Sequence, residues 1–444
     1  MNLSQTLQQT FRSLAHRNYR LFISGQLASM IGTWLQSVAQ SWLVYRLTGS
    51  SLLLGALTFA LQFPLILIAP FGGVFADRFP RRPLLMATAG ALSTLTLVLG
   101  VLTISANISI ELLFLFALFM GVTNGVDNPT RQAFVVEMVG KRDLPNAIAL
   151  NSSIVNMARI VGPALAGLLV ATVGEGWCFI INGLSFTVVL IMLTRIRLDE
   201  SARAVAHRTG GGLRLALREM GRGLAFVTRS LPMRSLLLLV GLISLVGMPY
   251  VVLMPIFADQ ILGSGSGTLG LLLGANGVGA LSSALWLAAR GSARGLERWV
   301  ARAALGFGVL LIGFSLSEWL WLSLFLLPGL GACAVMQMAS TNTLLQTLTT
   351  DEMRGRVMAA YSMMFFGMSP LGALMAGAVA DRIGTPRTVM LGGLLSLGGA
   401  LAFRYFLPRI ERAIALQREA TSHSQTGLDT ASSAEVQSPS DEPP

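Results

Sequence analysis

Gly72–Pro83 reads GGVFADRFPRRP. It follows one apolar run and precedes another, and within it Asp77–Arg82 hold one acid and three arginines. The reason for so much charge between two greasy segments lies in the solvent around the chain. Of 444 residues, 53% are hydrophobic and only 12% charged, and the mean hydropathy is +0.66. A soluble domain carries about 25% charge. Half that density over so long a chain means that most of the surface faces hydrocarbon. Apolar runs of roughly 20 residues, enough to cross about 30 Å of bilayer core, recur from end to end. The class is an all-α polytopic membrane protein.

Twelve spans are predicted, at 20–46, 51–76, 83–105, 111–135, 146–173, 176–196, 232–258, 267–290, 298–317, 319–346, 356–381 and 386–407. They divide the chain into an N-terminal segment (1–19), a six-helix bundle (20–196), a central loop (197–231), a second six-helix bundle (232–407) and a tail (408–444). The tail is rich in Ser, Thr, Pro and acid and buries too little apolar surface to fold. In the central loop, Leu213, Leu217, Met220, Leu224 and Val227 recur at helical spacing, with Arg214, Arg218 and Arg222 on another face. That pattern predicts an amphipathic helix on an anionic leaflet; a solvated basic linker is the alternative. Residues 1–20 lack the apolar core of a signal peptide, so the first span is expected to insert the chain. With both termini in the cytoplasm, all but four of the 32 Lys and Arg (Arg46, Arg159, Arg382 and Arg387) fall on the cytoplasmic side, as the positive-inside rule requires.

Several functions are excluded by the same reading. The arginines sit in gaps between spans, which is topology control rather than a nucleic-acid surface. Cys178 and Cys333 lie in apolar spans and read as packed thiols. His16, His207 and His423 lie in loops and tails, so no metal site is expected. GSGSGTLG (263–270) lacks the Lys-Ser/Thr of a phosphate loop and any preceding strand. No nucleotide, cofactor or enzyme chemistry is expected; the bilayer is one partner, and the chain is expected to act as a monomer.

The two halves repeat. SSLLLGAL (50–57) opens the second span and SGTLGLLLGA (266–275) the eighth; GPALAG (162–167) lies in the fifth and SPLGALMAG (369–377) in the eleventh. Offsets near 210 residues and a basic loop between halves indicate parallel repeats about an axis along the membrane normal. That is a two-bundle transporter plan with a midplane cavity.

Polar residues within the spans point to that cavity. In span one, Gln26, Ser29, Thr33, Gln36, Ser37, Gln40 and Ser41 fall on less than half the helix circumference at 100° per residue. Such a stripe faces a water-filled cavity, or else supplies hydrogen-bonding glue between helices. In span four, Asn124, Asp127, Asn128 and Arg131 share a face, and Asp127 with Arg131 forms an i, i+4 pair. Asp127 reads as part of a gate, with substrate or proton contact as the other reading. In span five, Asn156 and Arg159 share a face; Arg159 is the basic residue placed deep in the membrane, a functional position by default. A structural tie to carbonyls at the Pro163 break is the competing reading. Span ten offers Gln337 and Thr341 and no acid at membrane depth.

The turn at 72–83 resembles the signature Gly-x-x-x-Asp-Arg-x-Gly-Arg-Arg/Lys of the major facilitator superfamily. Gly73, Asp77, Arg78, Arg81 and Arg82 match it, and Pro80 stands where that family has glycine. The physical reading is a cytoplasmic gate. Gly73 permits close helix approach, Asp77 faces the N-terminus of span eleven, where the dipole favours an anion, and Arg81 pairs with Asp127. Arg82 reads equally as a positive-inside anchor. Gly162, Pro163 and Gly167 resemble the Gly-Pro-x-x-x-Gly signature of proton-driven exporters, and with Pro370 they are assigned to helix packing. The similarity covers about residues 12–407 and is most specific over 127–167, which looks like the branch with enterobactin-exporter-like and macrolide-efflux-like proteins. That kinship implies an inner-membrane, proton-linked exporter of a siderophore-like or drug-like molecule. An importer of a polar nutrient and a non-transporting scaffold or sensor are the alternatives.

Overall fold

Low charge and repeated apolar runs do produce a bundle of long helices. The computed structural model describes residues 12–196, 221, 225–290 and 295–435, apart from the side chains of Pro70, Val74, Asp77, Lys141, Asp351 and residues 416–435. The amphipathic helix expected in the central loop lies almost entirely outside the described residues. The first half holds α1 (Arg17–Thr48), α2 (Ser51–Arg78), α3 (Arg81–Ile104), α4 (Ile110–Gly140), α5 (Arg142–Val173) and α6 (Glu175–Arg195). The second holds α7 (Leu231–Ile261), α8 (Gly265–Arg290), α9 (Leu296–Ser315), α10 (Leu320–Thr347), α11 (Glu352–Ile383) and α12 (Thr385–Glu435). All but α1 contain a stretch long and apolar enough to cross a membrane; α1 has the length, at 32 residues, and carries the polar stripe. There is no strand among the described residues.

The halves repeat in packing as well as in sequence. In the first, α2 lies on α4 and α6 lies on both α3 and α1; in the second, α8 lies on α10 and α12 on both α9 and α7. The turn from α5 to α6 passes through Gly174 (φ 89°) and the turn from α11 to α12 through Gly384 (φ 88°). Both sit in the positive-φ region that only glycine adopts without strain, and they stand 210 residues apart, the offset of the sequence landmarks.

Alternate spans run in opposite directions, so one end of the molecule gathers the basic turns, the start of α1 and the described continuation of α12 beyond Pro408. We call it the basic end. The halves meet closely towards the opposite end. There α2 crosses α11, and a methyl group added at Gly55 would stand 2.2 Å from the Ala373 carbonyl oxygen, one at Gly377 2.4 Å from that of Ser51. In the symmetry-related crossing of α5 with α8, a methyl at Gly167 would stand 2.7 Å from Gly270 Cα. The repeated motifs of the sequence are therefore the contacts between halves, each small-residue motif receiving the first turns of a helix from the other bundle.

Two boundaries move. Spans four and five are expected to end at 135 and restart at 146, but helix continues to Gly140 and resumes at Arg142, with Gly140 alone (φ 68°, ψ 174°) leaving helical geometry. The N-terminal segment is strapped onto this reversal: Asp143 accepts from Arg12 (3.0 Å) and pairs with His16 (2.8 Å), and Asn146 accepts from the Ser13 amide (2.9 Å). The tail, expected to be unstructured from 408, instead begins as a continuation of α12 through Pro408 to Glu435. Ile410 and Ile414 are buried and Glu411 accepts from Arg298 at 2.6 Å, so packing carries the helix past the point where membrane hydropathy ends.

Candidate functional site

A cavity of about 710 Å³ occupies the half of the first bundle nearer the basic end. Its polar lining comes from Gln26, Ser29 and Thr33 of α1, Asn124, Asp127, Asn128, Arg131 and Gln132 of α4, and Asn151 of α5. Phe22, Met30, Trp34, Val135, Val155 and Phe186 supply apolar walls. The i, i+4 spacing on α4 sets its charged feature. Asp127 is 1% exposed; its carboxylate accepts from Thr88 Oγ1 (2.7 Å) on one oxygen and from Arg131 Nε (2.9 Å) and Nη2 on the other. Arg131 also donates to Gln26 Oε1, joining α4 to α1. Three donors thus hold one carboxylate, and the network ties three elements of the bundle, α1 through Gln26, α3 through Thr88 and α4 through Arg131.

The polar stripe of α1 divides. Gln26 and Thr33 face the cavity, whereas Gln36 turns into the bundle, where its Oε1 accepts from Asn182 Nδ2 and Thr96 Oγ1 (3.3 Å) and its Nε2 contacts Met120 Sδ at 3.0 Å. Gln40 is buried beside it, with Nε2 unpartnered. Gln337 and Thr341 of α10 are likewise buried, their amide and hydroxyl unpartnered, and do not line this cavity. Asn124 lines it while donating to the Met120 carbonyl (2.8 Å). Asn156 folds back onto the Ser152 carbonyl of its own helix (2.9 Å) and is not part of the lining.

Arg159, expected in the cavity, is not in its lining; it lies one turn beyond Val155, a lining residue. Its guanidinium stands 5.8 Å from the centroid of the Trp34 ring, and its Nε is buried without a hydrogen-bond partner. No carboxylate pairs with it among the described residues, and it makes no tie to carbonyls at Pro163. Close packing here follows from Gly162, where a methyl would stand 2.4 Å from Trp34 Cβ. The Pro163 carbonyl faces Gly270 across the seam, and Pro370 is buried in α11.

The turn at 72–83 is rearranged relative to expectation. Arg81 pairs with Glu137 (2.7 Å) and donates to the Ala133 carbonyl (3.3 Å), not to Asp127. The reason is depth: Glu137 is ten residues nearer the basic end than Asp127, about 15 Å along a helix, and Arg81 begins α3 at that end. Arg82 donates to the Leu193 and Thr194 carbonyls (2.8 Å each), a cation at the C-terminus of α6. The close approach belongs to Gly72, against the Gly125 carbonyl, while Gly73 has nothing within 4 Å of an added methyl. One residue is 100° of helix rotation, which moves the contact to another face. Arg78 is exposed, and the Asp77 side chain lies outside the described residues.

A family model described as a transmembrane secretion effector of the major facilitator superfamily matches residues 8–432. The chain belongs to this family. It is a major facilitator transporter, not an enzyme, and a multi-pass membrane protein that carries a small molecule. The staphyloferrin A transporter of Staphylococcus aureus is 24% identical over 412 residues, covering 91% of this chain and 99% of the relative. The multidrug efflux pump Tap of Mycolicibacterium fortuitum is 26% identical over 407 residues, covering 88% and 95%. In fold, the transporter is similar to a D-xylose-proton symporter, with a TM-score of 0.68 at 12% identity over 87% of this chain and 97% of that one.

Sequence reasoning missed the ties at the end opposite the basic turns. Asp381 of α11 accepts from the Ser51 (2.8 Å) and Leu52 (3.2 Å) amides and from Ser50 Oγ (3.1 Å), capping α2 of the other half. Tyr45 of α1 donates to Asp259 of α7 at 2.6 Å. The tripeptide Ala-Asp-Arg at 380–382 repeats that at 76–78, a signal that would have singled out Asp381.

Proposed function

We propose that the transporter exports a medium-sized, partly apolar molecule across the bacterial inner membrane, coupled to proton entry, as a monomer with both termini in the cytoplasm. One observation carries the reading. The cavity lies towards the basic end while the halves are joined at the other, and the positive-inside rule puts the basic end in the cytoplasm. The site in this state therefore samples cytoplasmic solutes, as an exporter must. Mixed lining suits a siderophore-like or drug-like compound, in keeping with a staphyloferrin A transporter and a multidrug efflux pump among the relatives. Asp127, the acid lining the cavity, is the proposed proton carrier. The gate at 72–83 engages when the opposite end opens: Gly73 is unpacked here, and Asp77 then meets the first turn of α11.

Inverted membrane vesicles with an acid interior, screened with a compound panel, test the proposal. Gradient-dependent accumulation that falls in Asp77→Asn and Asp127→Asn is expected. Accumulation solely in right-side-out vesicles overturns export. A reporter fused after Pro408 should be cytoplasmic and one near Gly263 periplasmic; finding both on one side overturns the topology.

A further inference from the structure

Given the reading of the cavity as the transport site, we infer that its substrate carries a fixed negative charge, a carboxylate or comparable oxyanion, that is received by Arg159. A buried cation in a membrane protein is ordinarily matched by an acid or by carbonyl oxygens. Arg131 has such a match in Asp127. Arg159 has neither: its Nε is buried and unpartnered, no carboxylate pairs with it among the described residues, and its close neighbour is the face of Trp34. Arg159 is not in the cavity lining itself but stands directly behind it: Trp34, whose ring it faces, and Val155, one turn away on α5, both line the cavity.

The charge count follows from the lining. Asp127 and Arg131 neutralise each other, and no further acid lines the cavity, so the charge of Arg159 is left over. On the packed elements, Arg81 is held by Glu137 and Asp143 by Arg12 and His16, all near the basic end. Arg159 also lies on the seam. A methyl at Gly277 of α8 would come within 3.2 Å of its carbonyl oxygen, and Tyr250 of α7, which donates to Asn276 at 2.7 Å, is within its electrostatic range. An anion here is thus enclosed by both halves. A planar guanidinium presents a fork that matches two oxygens of a carboxylate, sulfonate or phosphate. Arg131 and Arg159 are separated by about 15 Å of membrane depth at 1.5 Å per residue from the reversal at Gly140. Between them Met30, Trp34 and Val155 leave an apolar bed for the rest of the molecule. An outgoing anion and an incoming proton both move charge in the direction favoured by an inside-negative potential.

The test uses the purified full-length protein and two probes of one shape, naphthalene-2-sulfonate, anionic at every working pH, and neutral naphthalene-2-sulfonamide. Binding is measured by calorimetry, with the thermal midpoint recorded alongside. The native protein should bind the sulfonate at least tenfold more tightly and be stabilised by it alone. Arg159→Gln should bring the two affinities within about twofold without lowering the thermal midpoint, because an unmatched buried charge has been removed. Arg159→Lys, which keeps the charge and loses the fork, should retain part of the preference. Equal affinities in the native protein, no sulfonate binding at millimolar concentration, or a preference untouched by Arg159→Gln overturns the inference. If Arg159→Gln does not fold, the native protein's two affinities still decide. Export of a compound without anion selectivity would sink this inference alone, and anion-selective binding without outward transport would sink the export reading alone.

Discussion

The seam between α5 and α8 gives the sharpest test of how the halves move. Consider Gly167→Ala. The new methyl would stand 2.7 Å from Gly270 Cα, 3.0 Å from Gly270 N and 3.0 Å from the Ser266 carbonyl oxygen. All three are backbone atoms, so no side chain can rotate away. Ordinary contact begins near 3.4 Å, and reaching it requires the two helices to separate by roughly 1 Å. Overpacking of this kind costs about 1–3 kcal/mol, and the cost falls on the state in which the crossing is closed. At 1.4 kcal/mol per tenfold, its population relative to the open state drops about 5- to 150-fold. Helix propensity opposes a trivial explanation, since Ala is favoured over Gly within a helix. Spin labels at Asn107, between α3 and α4, and Glu318, between α9 and α10, report on the two halves at that end; both positions are exposed. Pulsed EPR should show a longer inter-label distance gaining population, and transport should slow. An unchanged distance distribution with unaltered transport would refute the claim that this crossing closes the molecule.

Three further outcomes are expected. Asp381→Asn keeps the shape of the cap on α2 and loses its charge, so hydrogen exchange across 50–55 should quicken while transport slows; unchanged protection would remove Asp381 from the closure. In a double-mutant cycle on thermal unfolding, Arg81→Gln and Glu137→Gln should be non-additive by about 0.5–3 kcal/mol, whereas Arg81→Gln and Asp127→Asn should add; the reverse result would restore the pairing read from sequence. Gln36→Leu should lower stability by about 1–3 kcal/mol, through the buried partners it abandons on Asn182 and Thr96, with substrate affinity intact; a loss of affinity at constant stability would return Gln36 to the site.

What was legible in the sequence followed a local rule. Hydropathy and basic turns mark spans because each span meets lipid on its own account, and the landmarks at 50–57, 162–167, 266–275 and 369–377 fell on the contacts between halves because close packing needs small residues wherever it occurs. Arg159 and Asp127 were visible as charges out of place. What stayed hidden was the identity of partners. Gln26 and Gln36 share one face of α1, yet one meets the cavity and the other meets Asn182, because a neighbouring helix covers only part of that face. Arg81 was matched to the nearest acid in the apolar run, whereas the turn sits at the depth of Glu137. Arg382 stood out as a topological exception while Asp381 beside it went unread, because its role required knowing that α2 of the other half begins beneath it.

The reversal at Gly140 has a mechanical consequence. With a single non-helical residue between them, α4 and α5 form an elbow rather than two rods on a loose string. The strap of Arg12, Ser13 and His16 onto Asp143 and Asn146 acts as its bearing. One arm ends in the seam with α8, and the other carries Asp127 and Arg131 along the cavity wall. Displacement of the seam is therefore not absorbed at the turn, and it reaches the charged pair as a change in angle. Lengthening the elbow by a few flexible residues would uncouple the arms, leaving binding in place and stripping it of its connection to movement.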